Sequence, residues 1–358
     1  MRLFSLTRRS STARRLSTLL RSEGEGVFAI SYPGSRVLEL SNPGAGNELT
    51  SHVTMALQEK LRVYEGNAAV SALFFASQSA DVFSTAAVGT SDKKAMQSLS
   101  NFVQALAAYK KPTLAVYSGR MNGTAYAAFA GSTYLLGGPS LSLVVDELSV
   151  GKIPSAGFAF QFKKCGAYGA AMARYFAVSR RDVRGDDLYA LGLLTHLVED
   201  AAHLSLADAL AHTIPSRDDL ELSPGAVVVE GAIAELLDTM DLHSDINPMT
   251  HEMWDKLVLV PPGREDTLEA GADLEGADDL LAIKDDVARC FSGTPEMAIR
   301  RLSDVKRPWA DEAVEAMSRI DRGLLSTWWT ITESITFPGI KLQDVLRLEV
   351  EAHAAAKP

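Results

Sequence analysis

Short, continuously apolar segments alternate with amphipathic ones from residue 27 onward, and this alternation limits the folds open to the chain. SALFFAS at residues 71–77 and TLAVYSG at residues 113–119 have almost no polar face, which is typical of strands covered on both sides. Between them, residues 93–109 carry apolar side chains three or four positions apart, as an amphipathic helix does. Strands and helices in this order predict a layered α/β domain with a largely parallel sheet.

Composition changes along the chain divide it into four expected regions. After about residue 215 the strand patterns stop, and from residue 294 the apolar spacing is helical, with an interruption at Phe337-Pro338-Gly339. We therefore expect a leader, an α/β core, a mixed and partly helical region, and a helical C-terminal region, at residues 1–22, 27–215, 216–293 and 294–358. Residues 265–286 hold nine acids and one lysine, which indicates a solvated loop or weak helix or, alternatively, an interaction surface.

The first 22 residues differ from the rest of the chain. They contain six arginines, five serines and no acid, and their leucines and Phe4 could form an apolar helix face opposite the arginines. This composition is typical of a mitochondrial transit peptide, and a basic disordered tail is the alternative. We therefore expect a location in the mitochondrial matrix. A reducing compartment also fits Cys165 and Cys290, which have no spacing typical of a disulfide framework or a zinc site.

Charge and hydropathy exclude some classes of function. The formal net charge is −10, and without the six arginines of the leader 29 basic residues would face 45 acidic ones, a charge near −16. Such a balance disfavours a broad nucleic-acid-binding face, although it allows a few phosphate contacts. No apolar run reaches the roughly 18 residues that a membrane-spanning helix needs, so we expect no membrane span. The histidines of the sequence do not have the spacing of metal ligands, so no bound metal is expected.

One segment has the form of an active-site turn. SGRMNGTAYAAFAG, residues 118–131, predicts a strand end, a glycine-containing turn and a buried helix. Enzymes use such turns to direct backbone N–H groups at a developing negative charge. The segment itself contains no acid, no nucleophile activated by a base and no phosphate-loop lysine, so it could supply only backbone donors.

Several motifs, in order, resemble the crotonase (enoyl-CoA hydratase/isomerase) superfamily, and more narrowly its 3-hydroxyisobutyryl-CoA hydrolase branch. The motifs are VLELSNPGAGNELT with Pro43, Asn47 and Leu49, ALFFASQSADVFSTAAVG, KPTLAVYSGRMNGTAYA, VDELSVGKIPSAG and GDDLYALGLLTHLVE. CFSGTPEMAIRRL and LQDVLRLEVEAH resemble the closing helices of that branch. The resemblance covers roughly residues 27–357. It implies a crotonase-like spiral of ββα units, followed by a helical C-terminal region, and a site for an acyl-CoA thioester.

The resemblance also implies positions for the site residues. The two oxyanion-hole amides fall on Ala87 and Thr124, and the surviving acid–base candidate is Glu147. A solubilising carboxylate at a helix end is the alternative interpretation of Glu147. His196 matches the T-H pair of the branch's motif, and we favour a structural role over a catalytic one for this histidine.

The chain departs from the family pattern at several of these positions. Thr124 and Ala125 stand where the family has two glycines, Ala127 where hydratases have a glutamate, and Ser155 where a carboxylate is expected. The sequence around Ser155 contains no histidine motif, so Ser155 is not predicted to belong to a catalytic triad. The loop before Asn47 has no charged residue to meet the phosphates of coenzyme A. The residues that specify the fold are therefore kept, whereas most that specify the chemistry are replaced.

These departures favour a catalytically degenerate member that acts as a structural or interaction subunit. A hydrolase-like protein of this type is a small-subunit component of some non-animal mitochondrial ribosomes, and the chain resembles it; its partners there would be proteins more than RNA. The alternative is an active acyl-CoA thioester hydrolase of valine catabolism that uses Glu147 with the Ala87 and Thr124 amides. A CoA-binding sensor without turnover is a third, less favoured option. No cofactor is expected, apart from the coenzyme A moiety of a substrate if the chain is active.

Overall fold

The computed structural model describes residues 26–41, 46–85, 93–199 and 280–355, together with residues 211, 214, 233, 234 and 237. None of the helices in these ranges has the length and hydropathy needed to span a bilayer. The predicted leader and most of the acidic stretch lie outside the described residues. Of that stretch, residues 280–286 belong to a helix, in agreement with one of the two local structures expected for it.

A six-stranded sheet forms the centre of the α/β core. Its strands are β1 (Val27–Ser31), β2 (Ser35–Leu40), β3 (Ala72–Ser77), β5 (Thr113–Val116), β7 (Tyr134–Gly137) and β10 (His196–Leu197), paired in that order. Strands β1 and β2 form an antiparallel hairpin, and every other pairing in this sheet is parallel. All six residues of β3 are buried, so the apolar run that suggested a strand covered on both sides is confirmed.

Four short strands form a second, smaller sheet. It contains β4 (Val82–Ser84), β6 (Arg120–Met121), β8 (Ser142–Val144) and β9 (Asp182–Arg184), paired in that order. Strands β4, β6 and β8 are parallel, and β9 joins β8 antiparallel. Strands β3, β5 and β7 of the larger sheet are each followed by a short strand of the smaller sheet, and β3–β4 and β5–β6 each lead into a helix, which is the repeated ββα arrangement expected from the sequence.

The helices surround the two sheets and continue into the C-terminal region. In the core they are α1 (Ser51–Gly66), α2 (Lys93–Ala107), α3 (Gly123–Phe129), α4 (Phe158–Gln161), α5 (Gly169–Ser179) and α6 (Gly185–Ala190). Two 3₁₀ segments, Glu147–Val150 and Phe162–Tyr168, precede α4 and α5. In the C-terminal region they are α7 (Leu280–Cys290), α8 (Pro295–Val305), α9 (Pro308–Arg319), α10 (Arg322–Ser334) and α11 (Leu342–Ala355).

The sheet separates two hydrophobic clusters. One face of β3 contributes Leu73 and Phe75 to the larger cluster, which contains the C-terminal helices, while Phe74 points into a smaller cluster on the opposite face. Residues 211, 214, 233 and 237 belong to the smaller cluster, so these four residues pack on that face of the sheet. Burial on both faces explains why the strands are apolar throughout.

The helical spacing predicted from residue 294 to the interruption at residues 337–339 contains a break between α9 and α10 that the spacing does not indicate. Ile320 has extended backbone dihedral angles, and the side chain of Asp321 accepts a hydrogen bond from the Leu324 amide as the N-cap of α10. An aspartate cap satisfies an otherwise unpaired helix donor, so the local capping chemistry overrides the continuous helical spacing. The adjacent Trp328 and Trp329 are both buried, in agreement with a role in packing.

Candidate functional site

The segment from Gly119 through β6 to the start of α3 has the turn and the helix start predicted for residues 118–131. Gly119 has φ +59°, and a Cβ atom there would lie 2.1 Å from the carbonyl carbon of Asp81, so only glycine fits. Asn122 is the N-cap of α3, and its Oδ1 accepts a hydrogen bond from the Ala125 amide at 2.8 Å. The strand, the turn and the helix start predicted at this place are thus all present.

Thr124 uses its backbone amide inside the protein. The N–H group donates to Oε1 of Glu147 at 2.7 Å. Thr124 is 4% exposed and Glu147 only 1%, so this bond is shielded from solvent. The family pattern assigns the Thr124 amide to the oxyanion hole. In this structure that amide already has a carboxyl oxygen of Glu147 as its acceptor.

Glu147 begins the 3₁₀ turn after β8 and points toward the start of α3. Burial raises the pKa of its carboxyl to about 7, and the hydrogen bond from the Thr124 amide partly opposes this shift. In the described part of the chain, its Oε2 has no hydrogen-bond partner. A Cβ on Gly123 would lie 3.0 Å from Val145 and 3.2 Å from Oε1 of Glu147, which shows how closely the carboxyl group is packed.

Ser155 connects this pair to the C-terminal region. Its amide donates to Oγ1 of Thr124 at 3.1 Å, and its hydroxyl donates to the carbonyl oxygen of Ile153 at 2.8 Å. The same hydroxyl lies 2.8 Å from Nε2 of His353 in α11. A serine that the sequence places far from any histidine motif is therefore paired with a histidine 198 residues away.

Glu349, one helical turn before His353, binds the same loop. Its two carboxyl oxygens accept hydrogen bonds from the Gly157 amide at 3.2 and 3.0 Å. Ala156 and Gly157 have φ angles of +63° and +78°, and the backbone amides of both residues are directed at the Glu349 carboxyl group. Burial raises the pKa of Glu349 to about 8, against the effect of the Gly157 and Ala156 amides.

We call these five side chains the site network: Thr124, Glu147, Ser155, Glu349 and His353. Each of them is at most 8% exposed. Burial lowers the pKa of His353 to about 4, so its imidazole is neutral at neutral pH. The hydroxyl of Ser155 then faces a neutral imidazole, but with 2% exposure it has no open approach for a substrate.

The remaining sequence-predicted positions lie elsewhere. Ala87 falls in residues 86–92, outside the described residues. Asn47 is buried and donates from Nδ2 to Oγ of Ser77 at 3.0 Å and to the carbonyl oxygen of Phe83 at 2.9 Å, which holds the strand that precedes Ala87. His196 lies on β10, the last strand of the larger sheet, with Nδ1 2.9 Å from Oγ1 of Thr195 and its ring 5.9 Å from that of Tyr134.

Glu349 and His353 were missed in the sequence, although a signal for them exists. Val345, Glu349 and His353 follow at intervals of four and lie on one buried face of α11. A glutamate and a histidine on the apolar stripe of an amphipathic helix indicate buried polar contacts. In the described ranges, no group of three or more His, Cys, Asp or Glu side chains is placed to hold a metal ion.

The arrangement limits what chemistry the site can perform. An oxyanion hole needs free donors directed at the substrate oxygen, and Thr124 has no free donor on its backbone. Glu147 has a pKa suited to general acid–base catalysis at neutral pH, but only one of its oxygens is without a partner in the described structure.

Comparisons with known proteins agree on the architecture. Among solved structures, an enoyl-CoA hydratase from Rhodobacter sphaeroides 2.4.1 matches with a TM-score of 0.67 and 17% identity, over 92% of this chain and 85% of that one. A carnitinyl-CoA dehydratase from Mycobacterium thermoresistibile matches with a TM-score of 0.65 and 15% identity, over 91% of this chain and 84% of that one. At this identity the likeness establishes the fold alone.

The family itself is established by sequence. No match was found among curated proteins. The family model described as enoyl-CoA hydratase/isomerase, however, matches residues 35–252, more than half of the chain. That range includes the β6–α3 turn, Glu147 and Ser155. The chain therefore belongs to the enoyl-CoA hydratase/isomerase family and has the crotonase fold.

Proposed function

We propose that this chain is a catalytically inactive member of the 3-hydroxyisobutyryl-CoA hydrolase-like branch that serves as a structural or interaction subunit in the mitochondrial matrix. The observation that carries the proposal is the hydrogen bond from the Thr124 amide to Glu147. Because the donor has a buried acceptor within the protein, a thioester oxygen could bind it only by displacing the carboxyl group. Removal of one oxyanion donor costs hydrolases about 10²–10³ in kcat.

Two further features support an inactive site. Ser155, in the position of the expected carboxylate, is bonded to Ile153 and His353 rather than exposed to a substrate. Ala127 offers no acid on α3, and it is fully buried. Apolar core positions accept substitutions of similar size, but a carboxylate base has no such substitute, so simultaneous loss at these positions fits a fold that is kept for binding.

The assembly that we propose is the small subunit of the mitochondrial ribosome. The resemblance of the chain to the hydrolase-like component of that subunit supports this role, as does the composition of the first 22 residues. With a net charge of −10 the chain would contact proteins more than RNA. No cofactor is needed for such a role.

Sedimentation of the endogenous protein tests the assembly. Mitochondrial lysate is separated on a density gradient, and the protein is located with an antibody. We expect it to sediment with the small ribosomal subunit and to move to the top of the gradient when magnesium is removed and the subunit dissociates. A protein that stays in the low-mass fractions under both conditions would contradict the ribosomal assignment.

One observation favours the second candidate, an active acyl-CoA thioester hydrolase. The pKa of Glu147 is near 7, where a carboxyl group can both accept and return a proton at neutral pH. In that enzyme Glu147 would act on the water or the leaving group, and the amides of Ala87 and Thr124 would hold the thioester oxygen. The candidate requires the Glu147 carboxyl to leave Thr124 when substrate binds, and turnover of 3-hydroxyisobutyryl-CoA distinguishes it from the inactive protein.

A further inference from the structure

The buried face of α11 is polar in its second half, which is unusual for a helix that packs on a core. Val345 and Leu346 are buried near its start, and Glu349 and His353 occupy the next positions of the same face. Apolar side chains of similar size at such positions are often as stabilising or more so. The polar pair therefore calls for a role beyond packing.

Both polar side chains are held by one short loop, residues 153–157. Glu349 accepts from the Gly157 amide, while His353 lies 2.8 Å from the Ser155 hydroxyl. The loop has two consecutive residues with positive φ, Ala156 and Gly157, which direct their amides toward α11. A Cβ on Gly157 would lie 2.5 Å from Leu342, so the loop and the helix are in direct contact along this length.

We propose that Glu349 and His353 form a proton-dependent latch that fastens α11 to the loop 153–157. In the closed latch Glu349 is protonated and His353 is neutral, so that no net charge is buried between the helix and the loop. Loss of the proton from Glu349 places an uncompensated carboxylate in this interface and favours release of α11. Release would uncover Ser155 and the Gly157 amide, and it would open the site network on this side.

The direction of the pH response follows from the buried groups. Glu349 keeps its proton in the closed latch up to a pKa of about 8, whereas a solvated glutamate loses it near 4.5. The contribution of protonated Glu349 to closure is therefore fully present below about pH 4.5 and is lost as the pH rises from there through about 8. His353 acts in the opposite sense, because its pKa of about 4 lies below the usual 6.5, so acid below about pH 6.5 opposes closure.

The charged groups around the latch do not supply a counter-charge for Glu349. Lys152 lies near His353 and disfavours its protonation. Glu147, which has Asp146 beside it, is bonded to Thr124, and Thr124 in turn accepts a hydrogen bond from the Ser155 amide of the loop. Lys163 donates to the carbonyl oxygen of Ile340, before α11 begins. Three helices pack against α11: α2, α4 and α10. Helix α4 has no charged residue, and α2 has Lys93 and Lys94. Helix α10 has Arg322 and Glu333, and Glu333 is bonded to Arg174.

Hydrogen–deuterium exchange on the full chain tests the latch. Protection of the peptide that covers α11 is compared at about pH 6 and about pH 9, after correction for the chemical exchange rate. We expect protection to fall about a hundredfold across this range in the wild type. Closure weakens about tenfold for each pH unit between the pKa of solvated Glu349, near 4.5, and the pKa of about 8 in the closed latch, and two of those units lie between pH 6 and pH 8. Protection of α1, a helix remote from the latch, should stay constant.

Two matched variants locate the effect. Glu349→Gln keeps an acceptor for Gly157 but cannot ionise, so its α11 protection should not depend on pH over this range. Glu351→Gln removes a glutamate from the exposed face of the same helix and should behave as the wild type does.

The proposal is wrong if the wild type shows no loss of protection confined to α11, or if Glu349→Gln shows the same loss. Parallel loss of protection in α1 would indicate global unfolding and would contradict a latch as well. If Glu349→Gln does not fold, the wild-type comparison decides alone, because a latch that does not titrate gives no pH-dependent loss limited to α11.

Discussion

Glu147 is a buried carboxyl group. Burial raises its pKa, and the hydrogen bond from the Thr124 amide opposes this shift. The folded protein keeps its proton up to a pKa of about 7, whereas the unfolded chain releases it near 4.5. The contribution of protonated Glu147 to the free energy of unfolding is therefore fully present below about pH 4.5 and is lost as the pH rises through about 7. Above that range the folded state has to hold a desolvated carboxylate with one donor.

Glu147→Gln should therefore stabilise the protein at alkaline pH. The amide side chain keeps an oxygen for Thr124 and never ionises. Relative to the wild type, we expect the variant to gain about 2 kcal/mol in the free energy of unfolding between about pH 5 and about pH 8.5. Urea denaturation at both pH values measures this. The exposed Glu351→Gln is the control, and an equal gain there, or no gain in Glu147→Gln, would contradict the assignment of a buried protonated carboxyl group.

Single residues also show what the sequence can and cannot predict about the site. Gly119 and Asn122 act through the backbone next to them, so a local motif was enough to place the turn. The contact between Thr124 and Glu147 joins two motifs of one family pattern, which made both residues candidates although not their bond. Glu349 and His353 reach the loop 153–157 over almost two hundred residues, and only tertiary packing brings them there.

Among the helices, α5 is attached to the C-terminal region by one buried arginine. Arg174 is 2% exposed and donates from Nε to Oγ1 of Thr332 at 2.7 Å and from Nη1 to the carbonyl oxygen of Phe291 at 2.8 Å. Its Nη2 lies 2.5 Å from Oε2 of Glu333, and its guanidinium group packs over the ring of Trp329. Burial lowers the pKa of Arg174, but these acceptors keep the group satisfied.

Arg174→Met should loosen the attachment of the C-terminal helices. It leaves the Phe291 carbonyl oxygen and the Thr332 hydroxyl without their buried donor, and we expect a loss of about 3 kcal/mol in the free energy of unfolding. Chemical denaturation measures the loss. Arg319→Met, which removes an exposed ion pair with Glu315 on α9, is the matched control and should cost much less. Equal effects of the two substitutions would contradict the structural role of Arg174.

The elements themselves follow from the sequence more closely than the site does. Strand β3 and helix α2 have the predicted positions within two residues, because their apolar spacing reflects the burial that the fold gives them. The division between α9 and α10 was not predicted. Its cause is the cap formed by Asp321, a local hydrogen bond that hydrophobic periodicity does not report.

For the whole molecule, the crotonase fold and the proposed loss of chemistry are separate matters. The fold depends on apolar strands, glycine-containing turns and a helical C-terminal region, and all of these are present in the described residues. Hydrolysis depends on free amide donors and a placed carboxyl group, and in this chain each of these groups in the described site is bonded within the site network. Under the proposed function, the fold is kept although the groups of the site make internal contacts.

Turnover of 3-hydroxyisobutyryl-CoA tests this account most directly. Release of coenzyme A is followed with a thiol reagent in purified wild-type protein, with Glu147→Gln and the exposed Glu351→Gln as matched variants. We expect all three proteins to release coenzyme A no faster than buffer alone. Wild-type turnover that Glu351→Gln retains and Glu147→Gln abolishes would contradict it, and would assign the site to an active thioester hydrolase.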